Sequence, residues 1–318
     1  MRFVEVERRN PTEEELQNPN ILVGDVGMEF NPELNNFDHH QDKNLGCAFQ
    51  LVAQGLLFEG IIEKVIVHGG FVAHLDEIYM VAFIDAFINK YQGNTSWEKI
   101  FTFAEKISCW DTQGPNVFAK IYPDEAIPPL DSSRNFLQEK WAQNPNSTQV
   151  REIFMRALMN TDGSYSGFDF SGFETSDRTL FEQYHIWISK KRLDKEKRTE
   201  TLNNIGFSLI HTKKRTNILV LNEPKPLSEI DGLQDSFLVL DYVKEQFNIE
   251  PDIMVSVQKN RDGGNLCSIF RTAKGEENGI DLYSLDLGEA TIFKHKAGFL
   301  HNIKVEALDK ALDELNNL

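Results

Sequence analysis

The sequence predicts an α/β fold: a mostly parallel-sheet domain followed by a smaller, mixed α/β C-terminal domain. Three observations carry that expectation. Two β-branched runs, Ile21-Leu22-Val23 and Val65-Ile66-Val67, each end in a glycine turn that leads on to a helical stretch, the alternation expected of a parallel sheet. The stretch Ile78–Ile88 holds no Gly or Pro and is apolar around most of its circumference, which predicts a helix buried between layers. From about Ile205 the pattern changes to β-rich runs separated by turn residues, which predicts a second domain. The expected boundaries are 1–200, with an irregular helical insert over 114–180, and 205–318.

Taken in order, residues 1–60 read as two strands and a helix. Met1–Arg9 alternates like a strand and has no apolar block of the kind a signal peptide needs. A strand over 21–26 carries Asp25, and Asp38-His39-His40 is expected to open a helix. That helix runs from about Leu45 to Phe58, with Cys47, Phe49, Leu51, Val52, Leu56 and Leu57 as its apolar stripe. Strand 64–68 and a helix over about 75–91 follow. Gln92-Gly93-Asn94 ends that helix, and Ser96 caps the next, which reaches Cys109. Pro115, Pro123, Pro128, Pro129 and Pro145 punctuate the insert. Its Asn160–Phe173 stretch reads as an exposed crossing between helices, with a lid over a site as the alternative. A long helix spans Arg178 to about Asn203; its Lys190–Arg198 charge run reads as a solvated face, with a phosphate-contacting strip as the alternative. In the second domain Phe207–His211, Asn217–Leu221, Ile253–Gln258, Leu266–Arg271 and Ala290–Phe293 read as strands. Ser236–Phe247 reads as a helix, Asn260–Asn265 as a hairpin turn and Lys304–Leu315 as an amphipathic tail.

The chain has 318 residues, 41% of them hydrophobic and 23 of them Phe, with a net charge of −16. A surface this acidic disfavours long nucleic-acid duplexes and anionic membranes, which are held through Lys and Arg. A small phosphate-bearing substrate or a short oligonucleotide remains open, because bound divalent ions reverse the local field. No apolar run reaches the length of a membrane span, since Asp85 interrupts the best one. Three cysteines without paired spacing point to a reducing compartment, and the cytoplasm is the expected location. A homodimer is an open alternative to a monomer.

Two stretches carry candidate chemistry. In the first, Asp25 stands where a core strand ends, the place where open α/β sheets put their ligands, and Asp38-His39-His40-Gln41 follows thirteen residues on. In the second, His68 ends a strand, Gly69 and Gly70 permit a tight, positive-φ backbone, and His74, Asp76 and Glu77 begin a helix. Four of the eight histidines lie in these two stretches. Imidazole with carboxylate suits Mn, Fe, Co or Zn; ordinary turn residues are the alternative reading.

Asp25-Val26-Gly27 followed by Asp38-His39-His40-Gln41 resembles the DHH phosphoesterase superfamily, and most nearly the metal-dependent hydrolase branch around the melanocyte proliferating gene product. The branch's His-x-Gly…His-x-Asp-Glu motif is matched by His68, Gly70, His74, Asp76 and Glu77, and its Asp closing an apolar helix by Asp111. The motif order is permuted: the His-x-Gly segment precedes Asp-Val-Gly in the family and follows it here. The resemblance covers about residues 1–118 well and the last sixty loosely.

The resemblance implies a DHH-type metal domain with two bound ions, Mn²⁺ before Mg²⁺ or Co²⁺. Asp25, His68 and His74 would hold one ion, and Asp25, His39, Asp76 and Asp111 the other. His40 would contact the phosphoryl group or protonate the leaving oxygen, with Asp38 as an orienting group. The second domain would supply Arg271, His295, Lys296 and His301 to the substrate, although the family's glycine pair before the last His is missing. The implied activity is hydrolysis of a small phosphodiester or phosphoanhydride by two-metal activation of water, including exonuclease action on a short oligonucleotide. The alternatives are a non-catalytic metal- or nucleotide-binding regulatory protein and a hydrolase of other bonds.

Overall fold

The computed structural model describes the chain apart from residue 43 and residues 56–60, 71–72, 127, 129–131, 166–177, 203–206, 212–216, 222–239, 241–242, 260–264, 283–292, 296–298, 305–312 and 316–318. It divides into two compact units, Met1–Lys191 and Arg192–Leu318. The long helix Arg178–Leu202 runs through the division.

The first unit is built on a five-stranded, mostly parallel sheet. Its strands are β1 (Glu5–Arg8), β2 (Ile21–Gly24), β3 (Phe30–Asn31), β4 (Asn36–Phe37) and β5 (Lys64–Val67), in the order β1-β5-β2-β4-β3. Only the β3–β4 pair is antiparallel. A single row of partners, Arg8–Val67–Gly24–Phe37, crosses the sheet. The residues that follow this row are Arg9, His68, Asp25 and Asp38, so one carboxyl edge gathers both candidate stretches. That edge is where parallel sheets place ligands.

Helices α1 (Glu13–Leu16), α2 (Ala48–Gly55), α3 (Leu75–Ile88), α4 (Trp97–Gln113), α5 (Pro115–Ile121), α6 (Ser133–Gln143) and α7 (Thr148–Leu158) complete this unit. Every residue of α3 from Asp76 to Ala86 is buried, as its all-round apolar sequence requires. Phe49, Tyr79, Phe83, Phe103 and Phe154 from four helices pack in tilted and edge-on pairs around it.

Several expectations need correcting. Asp38-His39-His40 does not open a helix; it forms a turn, and α2 starts only at Ala48. The backbone amide of Cys47 donates to Ser108 Oγ at 2.9 Å, which fixes the chain just before that helix. The expected end of α2 at Phe58 lies outside the described residues. The described residues of 1–60 contain four strands rather than two, plus α1, which a Thr12–Glu15 capping box starts. Helix α4 runs past Cys109 to Gln113 and stops at Gly114, whose φ of 87° breaks it. Asp111 therefore sits within its last turn. Residues 161–165 are not an exposed crossing: Thr161 and Tyr165 are buried, and the Tyr165 ring stacks on Trp110 with centroids 5.2 Å apart. Residues 166–173 of that stretch lie outside the described residues.

In the second unit, β6 (Phe207–His211), β7 (Asn217–Leu221), β8 (Ile253–Lys259), β9 (Asn265–Arg271), β10 (Phe293–His295) and β11 (Phe299–Lys304) form a sheet ordered β10-β11-β9-β8-β7-β6. All its pairs are antiparallel except β7–β8. Of the strand expected over Ala290–Phe293, residues 290–292 lie outside the described residues and Phe293 begins β10; β11 is additional. Of the expected helix Ser236–Phe247, residues 243–247 are helical and most of the remainder lies outside the described residues. The expected hairpin turn and most of the C-terminal tail also lie outside them. Among the described residues no helix is long and apolar enough to cross a membrane.

Candidate metal centre

Asp25 is the hub. Strand β2 ends in glycine, where a Cβ would come 2.4 Å from the thioether end of Met80 on α3 and would displace it. The chain then turns sharply: Asp25 has φ 59°, Gly27 101° and Met28 56°. A non-glycine residue held there stores about 1–3 kcal/mol of strain, a cost typical of functional sites. The turn buries the Asp25 carboxylate and aims its two oxygens in different directions. Oδ1 accepts from His39 Nε2 at 3.0 Å, and Oδ2 accepts from His74 Nδ1 at 3.2 Å. Burial alone would raise the Asp25 pKa, but the hydrogen bonds and charge of His39 and His74 hold it far below the usual carboxylate range.

On the Oδ1 side stand His39, Asp76 and Asp111, each offering a ligand atom within 4.8 Å of the others. His39 Nε2 lies 3.4 Å from Asp111 Oδ2. Asp76 is wholly buried, and neither of its oxygens has a hydrogen-bond partner. Burial first, then the like charges of Asp25 and Asp111, push its carboxyl well above the usual range. On the Oδ2 side stand His74 and Glu77, again within 4.8 Å of Asp25 and of each other. His74 is the N-cap of α3, yet its side chain makes no cap bond and turns to Asp25 instead. Its side chain is 44% exposed, which makes it the open side of the cluster.

His40 and Asp38 form a separate pair. His40 Nδ1 lies 2.6 Å from Asp38 Oδ1, and Asp38 Oδ2 accepts from the Met28 amide at 2.6 Å. Burial disfavours the imidazolium, but Asp38 and then Asp25 outweigh it and lift His40 to about 9. His40 can therefore donate a proton at neutral pH. It also groups with Asp25 and His39 as a potential ligand, a role the sequence reading did not give it.

The structure thus brings Asp25, His39, His74, Asp76 and Asp111 together, with Asp38 and His40 beside them. His68 stands further off: its ring is 5.7 Å from that of His74, its Nδ1 accepts from the Gly70 amide at 3.3 Å, and it joins none of the ligand clusters. Burial, then the His74 charge, lower its pKa and keep the ring neutral. Glu77 takes its place among the potential ligands. The sequence signal for Glu77 was weak, since an acid in the first turn of a helix ordinarily just complements the dipole. Gly69 is not at positive φ. Its role is close approach, because a Cβ there would lie 3.0 Å from the Arg8 carbonyl.

In the second unit, Arg271 is engaged locally: Nη1 donates to the Ile280 carbonyl at 2.9 Å and Nη2 lies 3.8 Å from Glu276. His295 and His301 lie in β10 and β11, where Phe293 pairs with His301. Lys296 lies outside the described residues.

The donor set fits a divalent cation. Asp76 and Glu77 are buried carboxylates with no hydrogen bond, next to a third buried carboxylate. Such groups are strongly unfavourable unless paired or bound to metal. No family model and no curated protein matches this chain. Among solved structures, a DHH-domain member of the S1p family of ribosomal proteins is similar to it, with a TM-score of 0.34 and 11% identity. The match covers 75% of this chain and 54% of that one, so this chain spans about half of that protein.

Proposed function

We propose that the chain is a divalent-metal-dependent phosphoesterase acting on a small phosphodiester or phosphoanhydride, such as a short oligonucleotide. The observation that carries the reading is Asp25, a buried carboxylate whose two oxygens face two separate ligand clusters. A carboxylate so placed could be shared by two ions. His39, Asp76 and Asp111 would hold one ion beside Oδ1; His74 and Glu77 would hold the other beside Oδ2. Ions bound there would supply an acidified water and neutralise phosphoryl oxygens, and Mn²⁺ would suit the imidazole and carboxylate mixture.

The chain's own groups do the rest. Asp25 sets the spacing between the clusters, and the half-exposed His74 leaves the open side for substrate. His40, kept protonated by Asp38, donates to the leaving oxygen or to the phosphoryl group. The net charge of −16 favours a small substrate over a long duplex. Arg271, His295, Lys296 and His301 remain proposed substrate contacts of the second unit. The buried, free Cys47 and Cys109 fit a reducing compartment such as the cytoplasm.

The test is metal content after exhaustive dialysis, followed by Mn²⁺-dependent product release from a short oligonucleotide, pyrophosphate and a cyclic dinucleotide. Turnover of at least one supports the enzyme. Tight metal binding with no turnover of any would favour a regulatory binding protein.

A further inference from the structure

Arg8 closes β1 and lies under the second ligand-bearing turn. Its side chain is 11% exposed. Nη2 donates to the Gly70 carbonyl at 2.9 Å, two residues after His68. Nη1 donates to the Ala142 carbonyl at 3.0 Å, and Cζ lies 5.7 Å from the centre of the Trp141 ring. Nε stands 4.0 Å from Glu77 Oε2, a carboxylate that is wholly buried and accepts no hydrogen bond. The Arg8 carbonyl also lies 3.0 Å from where a Cβ at position 69 would stand, a tight contact that glycine relieves.

Two of these contacts, to Gly70 and Glu77, bear on one half of the centre, and those to Ala142 and Trp141 anchor the guanidinium to α6. The first two hold the Gly70 carbonyl, four residues before His74, and place a fixed positive charge 4.0 Å from Glu77, while His39 and Asp111 come from the segment after β4 and from α4. A planar guanidinium suits this work, because it holds two carbonyls and stacks on an aromatic face at once, which an ammonium cannot do. From this geometry we infer that Arg8 is the positioning residue of the Asp25–His74–Glu77 half-site, and that it controls ion affinity there without touching the ion. The inference rests on the two-ion reading proposed above.

The test is Mn²⁺ titration, by calorimetry, of the metal-free full-length chain. Wild type should take up two equivalents; fewer would overturn the two-ion reading and this inference with it. R8M should bind one equivalent as wild type does and the other about tenfold or more weakly, the scale typical of groups that orient ligands. R8K should fall between. E77Q should lose the same equivalent, and R8M/E77Q should be little weaker than E77Q alone, because two changes acting through one group are not additive. Two unchanged equivalents in R8M, or two equally weakened ones, would overturn the inference for a wild type that binds two. A brace of the fold alone would not separate the two ions. If R8M does not fold by circular dichroism, R8K carries the same criteria.

Discussion

Helix α3 buries two aspartates about two and a half turns apart, and they are treated in opposite ways. Asp85 accepts from Arg151 Nε at 2.8 Å and Nη2 at 2.6 Å. The same guanidinium also donates to the Val4 carbonyl and lies over the Phe3 ring. Asp76, equally buried, has no hydrogen bond and has Asp25 and Asp111 as charged neighbours. Burial raises both carboxyls; Arg151 limits Asp85 to about 6, whereas Asp76 is driven well above the ordinary range. A carboxylate in a core needs a counter-charge. At Asp85 the chain supplies it. At Asp76 the charges of His74 and His39 offset only part of the burial and the repulsion, and a bound cation would supply the rest; that is the physical basis for reading Asp85 as architecture and proposing Asp76 as site.

Breaking the built-in pair should give the largest effect. Arg151→Met leaves Asp85 buried and alone, and should cost about 3–5 kcal/mol of stability. Denaturant unfolding should show the same loss with and without Mn²⁺. A metal-dependent loss would erase the distinction between the two aspartates.

Asp76→Asn should do the reverse. The metal-free protein should be at least as stable as wild type, because a repelled buried charge has gone. Mn²⁺ should raise the melting temperature of wild type by mass action and that of Asp76→Asn far less, with affinity down tenfold or more. Thermal melts with and without the ion decide this.

A smaller effect follows from pH. Asp76 and Glu77 have raised carboxyl pKa values, so their contribution to the metal-free fold is complete below the ordinary carboxyl pKa of about 4. It is lost as pH rises through the folded values. The metal-free protein should weaken with rising pH, and Asp76→Asn/Glu77→Gln should flatten the slope in pH-dependent unfolding. The smallest expected effect belongs to His40, lifted to about 9. Its stabilisation is complete below about 6.5 and lost as pH passes about 9, a step that His40→Gln should remove from the melting profile.

How legible this was in the sequence varied with the kind of feature. Asp25, His39, His74, Asp76 and Asp111 stand next to apolar runs, and each reached the cluster. Their assembly depended on the partner row Arg8–Val67–Gly24–Phe37, which joins distant segments and leaves no local trace. Strands β3 and β4 are two residues long, too short for any periodicity. Arg8 reads as one more charge in Glu5–Arg9, and its burial comes from α6 and the Gly70 turn, well over fifty residues away. His68 has the right spacing and stands back because its Nδ1 accepts from its own turn.

The bridging role of Asp25 is the central claim, and metal stoichiometry in Asp25→Asn tests it most directly. The amide keeps the shape and removes the charge that both clusters share. Mn²⁺ titration of the folded variant should show both equivalents lost, or weakened by at least the roughly 10–100-fold seen for lesser perturbations of a metal site. Retention of two ions at wild-type affinity would contradict the account.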